Sequence, residues 1–194
     1  CWVRFIRNIY KDESYLTHTL PVKNETIFLS KVLTGIILML ISFAIIFACI
    51  VIAYGTKANF EFVKQALIPI STLLEMKAGA VVAVIAIILI LEFIFILICG
   101  YLGIILGHKS NNKRIIKSVI YGIVLFIAMS ITVLLLYIAG LFNKNIMNLF
   151  NTVEAPNKET MKFLMFGGII LYTLYNILYG LIGNRQIKKG VNVE

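Results

Sequence analysis

Few residues in this chain can do chemistry. Glu92, within ILILEFIFIL, is the one acidic residue inside a long apolar run, and it lies near the middle of that run. A charge at the centre of a membrane helix costs roughly 2.5–3.5 kcal/mol on insertion scales, so Glu92 must face protein or water, take up a proton or find a partner. No Lys or Arg lies at mid-run to pair with it. Two readings stay open: a proton or cation site, or a contact to a cationic substrate, on one side; on the other, a neutral carboxyl hydrogen-bonded to Ser130, Thr132 or Asn176. Tyr172, Tyr175, Asn176 and Tyr179 recur at i, i+3, i+4 and i+7, one helical stripe of hydroxyls and an amide. Such a stripe either packs inside a bundle or lines a path across it. His18 and His108 stand alone, and Cys1, Cys49 and Cys99 have neither disulfide nor zinc spacing. The sequence offers no catalytic residue, no metal-ligand set and no phosphate-binding glycine loop. We therefore expect a chain that is not itself an enzyme and binds no cofactor.

The elements that carry these residues follow from composition. Of 194 residues, 60% are hydrophobic and 14% charged, with a mean hydropathy of +0.96. Soluble chains run roughly 45–50% apolar and about 25% charged, so the apolar residues here exceed what a globular core absorbs. They fall in four runs long enough to cross a ~30 Å hydrocarbon core: residues 32–54, 79–107, 118–142 and 163–183. The first, VLTGIILMLISFAIIFACIVIAY, has no charge and spans about 34 Å as a helix. The second exceeds the bilayer's requirement and is expected to tilt, protrude or bend near Gly100 and Gly103. None alternates with period two, which excludes barrel strands. The predicted fold is all-α, a polytopic transmembrane helical bundle with four spans.

Charge placement orients it. Segments 1–31, 108–117 and 184–194 hold twelve Lys and Arg, whereas 55–78 and 143–162 hold six. By the positive-inside rule both ends and the GHKSNNKR loop are cytoplasmic, and the two longer segments face outward. The net charge of +9 is then an orientation signal and an attraction to anionic membrane lipid, not a sign of nucleic acid binding. Gly103 and Gly107, at small-xxx-small spacing, and Gly180 with Gly183, would permit close helix contact. The outward segment around NFEFVKQALIPISTLLEM is expected to form short helices broken at Pro69.

Between CWVRFIRNIY and the first span lies KDESYLTHTLPVKNETIFLSKVL. Asp12 or Glu13 can start a short helix over 12–19, and Pro21 ends it. Asn24 can cap the next helix, with Glu25 in its first turn, leading directly into the membrane. A short, partly apolar helix tied by a proline turn to the base of a span can transmit a push from a soluble partner; the alternative is an interfacial amphipathic helix.

The stretch YLTHTLPVKNETIFLSKVLTGII resembles the signature of type-2 ABC exporter permeases, especially the small permeases of low-GC Gram-positive bacteria. In these an acidic residue, a Leu-Thr-rich segment and Leu-Pro-Val precede a Ser/Gly-Lys at the base of a span. LGHKSNNKRIIKSVIYGI is similar to the cytoplasmic turn between their fourth and fifth spans. The resemblance implies that Asp12, Glu13, Tyr15, Leu16, Thr17, His18, Thr19, Leu20 and Pro21 form a coupling helix that docks on an ABC ATPase subunit. ATP and Mg would be bound there, not by this chain. It implies too that the spans are numbers three to six of a six-span permease, the stub ending an earlier span, with a second permease copy or homologue as partner in a bacterial cell membrane. His18 and Thr19 sit where such segments vary. Export of a hydrophobic or peptide-like substrate follows as the expected function. A proton-coupled secondary carrier using Glu92, or a non-transporting membrane sensor or scaffold subunit, are the alternatives.

Overall fold

Long runs of Leu, Ile, Val and Phe without charge leave the backbone one way to satisfy every N–H and C=O in lipid, which is to bond within its own segment as a helix. The computed structural model describes residues 2–10, 23–110, 113–141 and 158–188, and among them it has six helices and no strand. These are α1 (Trp2–Tyr10), α2 (Asn24–Tyr54), α3 (Lys57–Leu74), α4 (Ala78–His108), α5 (Arg114–Leu141) and α6 (Lys158–Lys188). Four of them, α2, α4, α5 and α6, are long and apolar enough to cross a membrane. Their outer surfaces are apolar too: Ile41 is 50% exposed, Phe47 69% and Ile52 85%. So much apolar area is tolerable only against lipid or another apolar surface. The protein is an all-α membrane protein.

The helices outrun the apolar runs that define them. α2 begins before residue 32 and α6 continues to Lys188. Asn24 is already helical; the carbonyl of Lys23 accepts the first bonds, from the amides of Thr26 and Ile27 at 2.9 and 3.3 Å. One expectation needs correction. Segment 55–78 is not broken at Pro69, because α3 runs through it as one helix. A proline removes one i→i−4 bond, and in this largely exposed helix the carbonyl left over need not stay dry. The Thr56 hydroxyl caps its start, accepting from the Asn59 amide, and Glu75 closes it in the left-handed conformation (φ 54°). α4 is continuous through Gly100 and Gly103; Gly103 serves close approach, as described below.

The chain divides into two units. Unit 1 comprises Cys1–Met39, Phe93–Thr132 and Leu174–Glu194, and unit 2 comprises Leu40–Glu92 and Val133–Thr173. Unit 1 contains α1, the ends of α2, α4 and α6 nearest the basic segments, and the start of α5. Its core cluster joins Phe5, Ile9 and Tyr10 of α1 to Phe28 of α2, Tyr101 and Ile105 of α4, and Ile187 of α6. Unit 2 holds α3 with its flanking turns, and there Leu74 and Val81 are fully buried.

Candidate functional site

The segment expected to couple to a partner, Asp12 to Pro21, lies outside the described residues, but both of its flanks are placed. On the upstream side, α1 puts Phe5 and Ile9, one turn apart, on a buried face, with Tyr10 beside them. It runs alongside α4 in the same direction. The Trp2 indole donates to the Leu97 carbonyl (3.3 Å), the Phe5 ring lies 4.5 Å from that of Tyr101, and Tyr10 stacks on His108 at 4.1 Å. Burial pushes the Tyr10 phenol well above its usual range, so it stays neutral.

His108 is itself buried, and its Nδ1 bonds the Ile104 carbonyl at 2.9 Å. A carbonyl only accepts, so that nitrogen carries the proton. On the downstream side, Ile27 and Phe28 at the start of α2 are buried, and the Phe28 ring meets Phe5 edge-on at 6.4 Å. Glu25 pairs with Lys188 at 2.9 Å, tying the first turn of α2 to the last turn of α6.

Next to this core, α4 and α5 approach backbone to backbone. A Cβ on Gly103 would lie 2.7–2.8 Å from Gly122 and the Ser118 carbonyl, and one on Gly107 would collide with the Ser118 backbone. The sequence shows Gly103-xxx-Gly107; the structure supplies its complement, Ser118-xxx-Gly122, on the facing helix. Gly183 is also used, with a Cβ there falling 2.8 Å from the Phe28 ring, whereas Gly180 faces open space.

The tyrosine stripe is divided in its duties. In unit 1, Tyr179 is buried and donates to the Leu125 carbonyl at 3.0 Å, and the Tyr175 hydroxyl bonds that of Thr132. Both rings pack on Phe95, at 5.9 and 6.0 Å. Asn176 is partly buried on the same helix. Tyr175 and Tyr179 thus make packing contacts and cross-helix hydrogen bonds.

In unit 2, Tyr172 lies within electrostatic reach of Glu92, which is partly buried. The partners expected for Glu92 were Ser130, Thr132 or Asn176. Of these, Thr132 is engaged elsewhere, its hydroxyl meeting the Ala128 carbonyl and Tyr175. No group of metal-ligating side chains occurs among the described residues.

Sequence reasoning missed the anchors Phe5, Phe28, His108 and Ser118. Their signal was present in part: Trp2, Phe5, Ile6 and Ile9 recur at three and four, the helical spacing of a packed face. The burial of His108 had no such signal, because a lone histidine at a span end looks the same whether hydrated or packed. No family model matches the chain, and no curated protein or solved structure matches it either.

Proposed function

We propose that this chain is the membrane-embedded permease part of an ATP-binding-cassette exporter in a bacterial cell membrane, moving a hydrophobic or peptide-like substrate. It works with a second permease copy or homologue above ATPase subunits that bind ATP and Mg. One observation carries the proposal beyond the sequence resemblance: the residues on either side of 11–22, Tyr10 and Phe28, belong to one core with Tyr101 and Ile105 of α4 and Ile187 of α6. A displacement applied to that segment reaches the same core from both ends. Close-packed interiors transmit strain rather than absorb it, so the inner ends of α2, α4 and α6 would move as a block. Closure of the ATPases supplies the displacement, and the spans convert it into alternate openings of the pathway. The basic residues of the same end and the four membrane-crossing helices are consistent with this arrangement.

The test is co-purification from the native membrane in mild detergent. The wild type is compared with a Leu16→Asp, Leu20→Asp variant, and ATP hydrolysis is measured in each eluate. The expected result is an ATPase recovered with the wild type and lost from a variant that still elutes as a folded protein. Recovery of the wild type without any ATPase would overturn the exporter assignment and leave a Glu92-dependent carrier as the reading to test by transport assay with Glu92→Gln.

A further inference from the structure

We infer that unit 1 carries a binding site for an anionic phospholipid of the cytoplasmic leaflet, in the notch between α1, α2 and α4. Nothing in the exporter proposal requires this site, and it stands whether or not an ATPase binds. The notch has a volume of about 210 Å3, and its wall changes character along α2. Lys31, Thr34, Gly35 and Leu38, at i, i+3, i+4 and i+7, line it in that order. The face thus passes from a cation through a hydroxyl and a buried glycine to an aliphatic side chain. Arg4 enters from α1 and Tyr101 from α4, where its hydroxyl bonds the Lys31 carbonyl at 3.5 Å.

Two cationic side chains from different helices therefore line one small volume, and the described residues that line it include no carboxylate. Arg presents a planar fork suited to phosphate oxygens, and Lys adds a mobile point charge. The hydroxyls of Ser30 and Thr34 donate back to carbonyls of their own helix, at 2.7 Å each, so recognition of an anion falls to the two cations.

Depth selects the occupant. Lys31 immediately precedes the uncharged run 32–54, so its ammonium sits where the hydrocarbon ends and lipid phosphates begin. From there Gly35 and Leu38 lead inward along the span, the direction an acyl chain takes. Exposed Leu33 (59%) and Ile37 (48%) extend the apolar surface beside it. Gly35 lets α2 lie close to α4 beside this wall, since a Cβ there would stand 2.9 Å from both the Leu97 side chain and the Tyr101 hydroxyl. A soluble anion would use the cations but gain nothing from the apolar wall. The opposite flank of α1 makes the contrast: its groove of about 330 Å3 against α4 and α5 is lined by Trp2, Ile6, Val119 and similar residues, with no charged side chain. That groove can hold an acyl chain but cannot tell one headgroup from another.

The one tryptophan of the chain, Trp2, lines the opposite groove, so the reporter is placed in the notch by Leu38→Trp in a Trp2→Phe background. This full chain is reconstituted in phosphatidylcholine vesicles with and without phosphatidylglycerol, and the fluorescence of the introduced indole is quenched with each lipid in brominated form. The expected result is a preference for the brominated phosphatidylglycerol of roughly fivefold or more. It falls to near parity in Arg4→Gln/Lys31→Gln and is lowered in Lys31→Gln alone, a partly exposed position at which folding is spared. It is retained in Arg4→Lys/Lys31→Arg. Lys113→Gln/Arg185→Gln removes the same charge from the same end at exposed positions and should leave the preference in place. Four outcomes would overturn the site: no headgroup preference in the wild type; a preference that survives the notch substitutions; equal loss in the Lys113/Arg185 control, which would mean bulk charge only; or displacement of brominated phosphatidylglycerol by inorganic phosphate at fixed ionic strength, which would mean a soluble-anion site.

Discussion

Gly107 shows how much one missing side chain decides. Its Cα stands where any Cβ would enter the Ser118 backbone, and backbone cannot swing aside as a side-chain tip can. Gly107→Leu should therefore force α4 from α5 and lower stability by about 1–3 kcal/mol or more, the range for overpacking a close contact. The midpoint of thermal unfolding in detergent, followed by size-exclusion recovery, measures it. Gly180→Leu makes the same chemical change on a helix where nothing lies within 4 Å of the new Cβ, and should leave that midpoint nearly unchanged. Equal losses in the two variants would show that the α4–α5 approach is not what Gly107 provides. The sequence marked both glycines as candidates for close contact; which one is used depends on the neighbour, and a glycine carries no mark of its neighbour.

At the scale of the element, α1 is a nine-residue helix that would not hold its shape alone; isolated helices shorter than ~12–15 residues are marginal in water. Packing of Phe5, Ile9 and Tyr10 against α2, α4 and α6 holds it. The seat has a pH signature. Burial raises the Tyr10 phenol in the folded state, while the unfolded chain titrates near ~10. Below that pH both states carry the neutral phenol and Tyr10 contributes no pH dependence. Above it the unfolded chain releases a proton that the fold retains, so stability falls as pH rises through the alkaline range. Urea or thermal unfolding between neutral and strongly alkaline pH should show this decline in the wild type and a shallower one in Tyr10→Phe. An identical slope would mean that the phenol is not buried as described. The helical spacing of the anchors was legible in CWVRFIRNIY, but their partners were not: Phe28, Tyr101 and Ile187 are brought to α1 by the chain's own folding, which no sequence period marks.

For the whole molecule, charge asymmetry gives an orientation that can be read directly. With Cys1, Cys49 and Cys99 replaced by Ser, single cysteines at Lys23, Lys113 and Lys64 are probed with a membrane-impermeant maleimide on sealed cells and on inverted vesicles. Lys23→Cys and Lys113→Cys should label only from the cytoplasmic side, and Lys64→Cys, on α3, only from outside. Labelling of Lys113→Cys from outside would reverse the topology and remove the cytoplasmic placement on which both the coupling segment and the lipid notch depend.

Membrane class, the helical fold and the presence of four span-capable segments were legible in composition and run length alone, because lipid imposes one demand, internally bonded backbone beneath apolar side chains, and that demand is local to each segment. Continuity of α3 through Pro69 escaped the sequence, since whether a proline ends a helix depends on what receives the carbonyl it releases. The surroundings of Glu92 escaped it for a related reason: which residues of neighbouring helices come near it depends on helix rotation, which no hydropathy run encodes when every face is apolar, and Tyr172 is brought within electrostatic reach. The same rotation sets Ser118 and Gly122 against Gly103 and Gly107, and turns Arg4 and Lys31 toward one notch. Sequence determined which segments enter the membrane; only tertiary packing decided which of their faces meet, because side-chain shape, not hydrophobicity, distinguishes one apolar face from another.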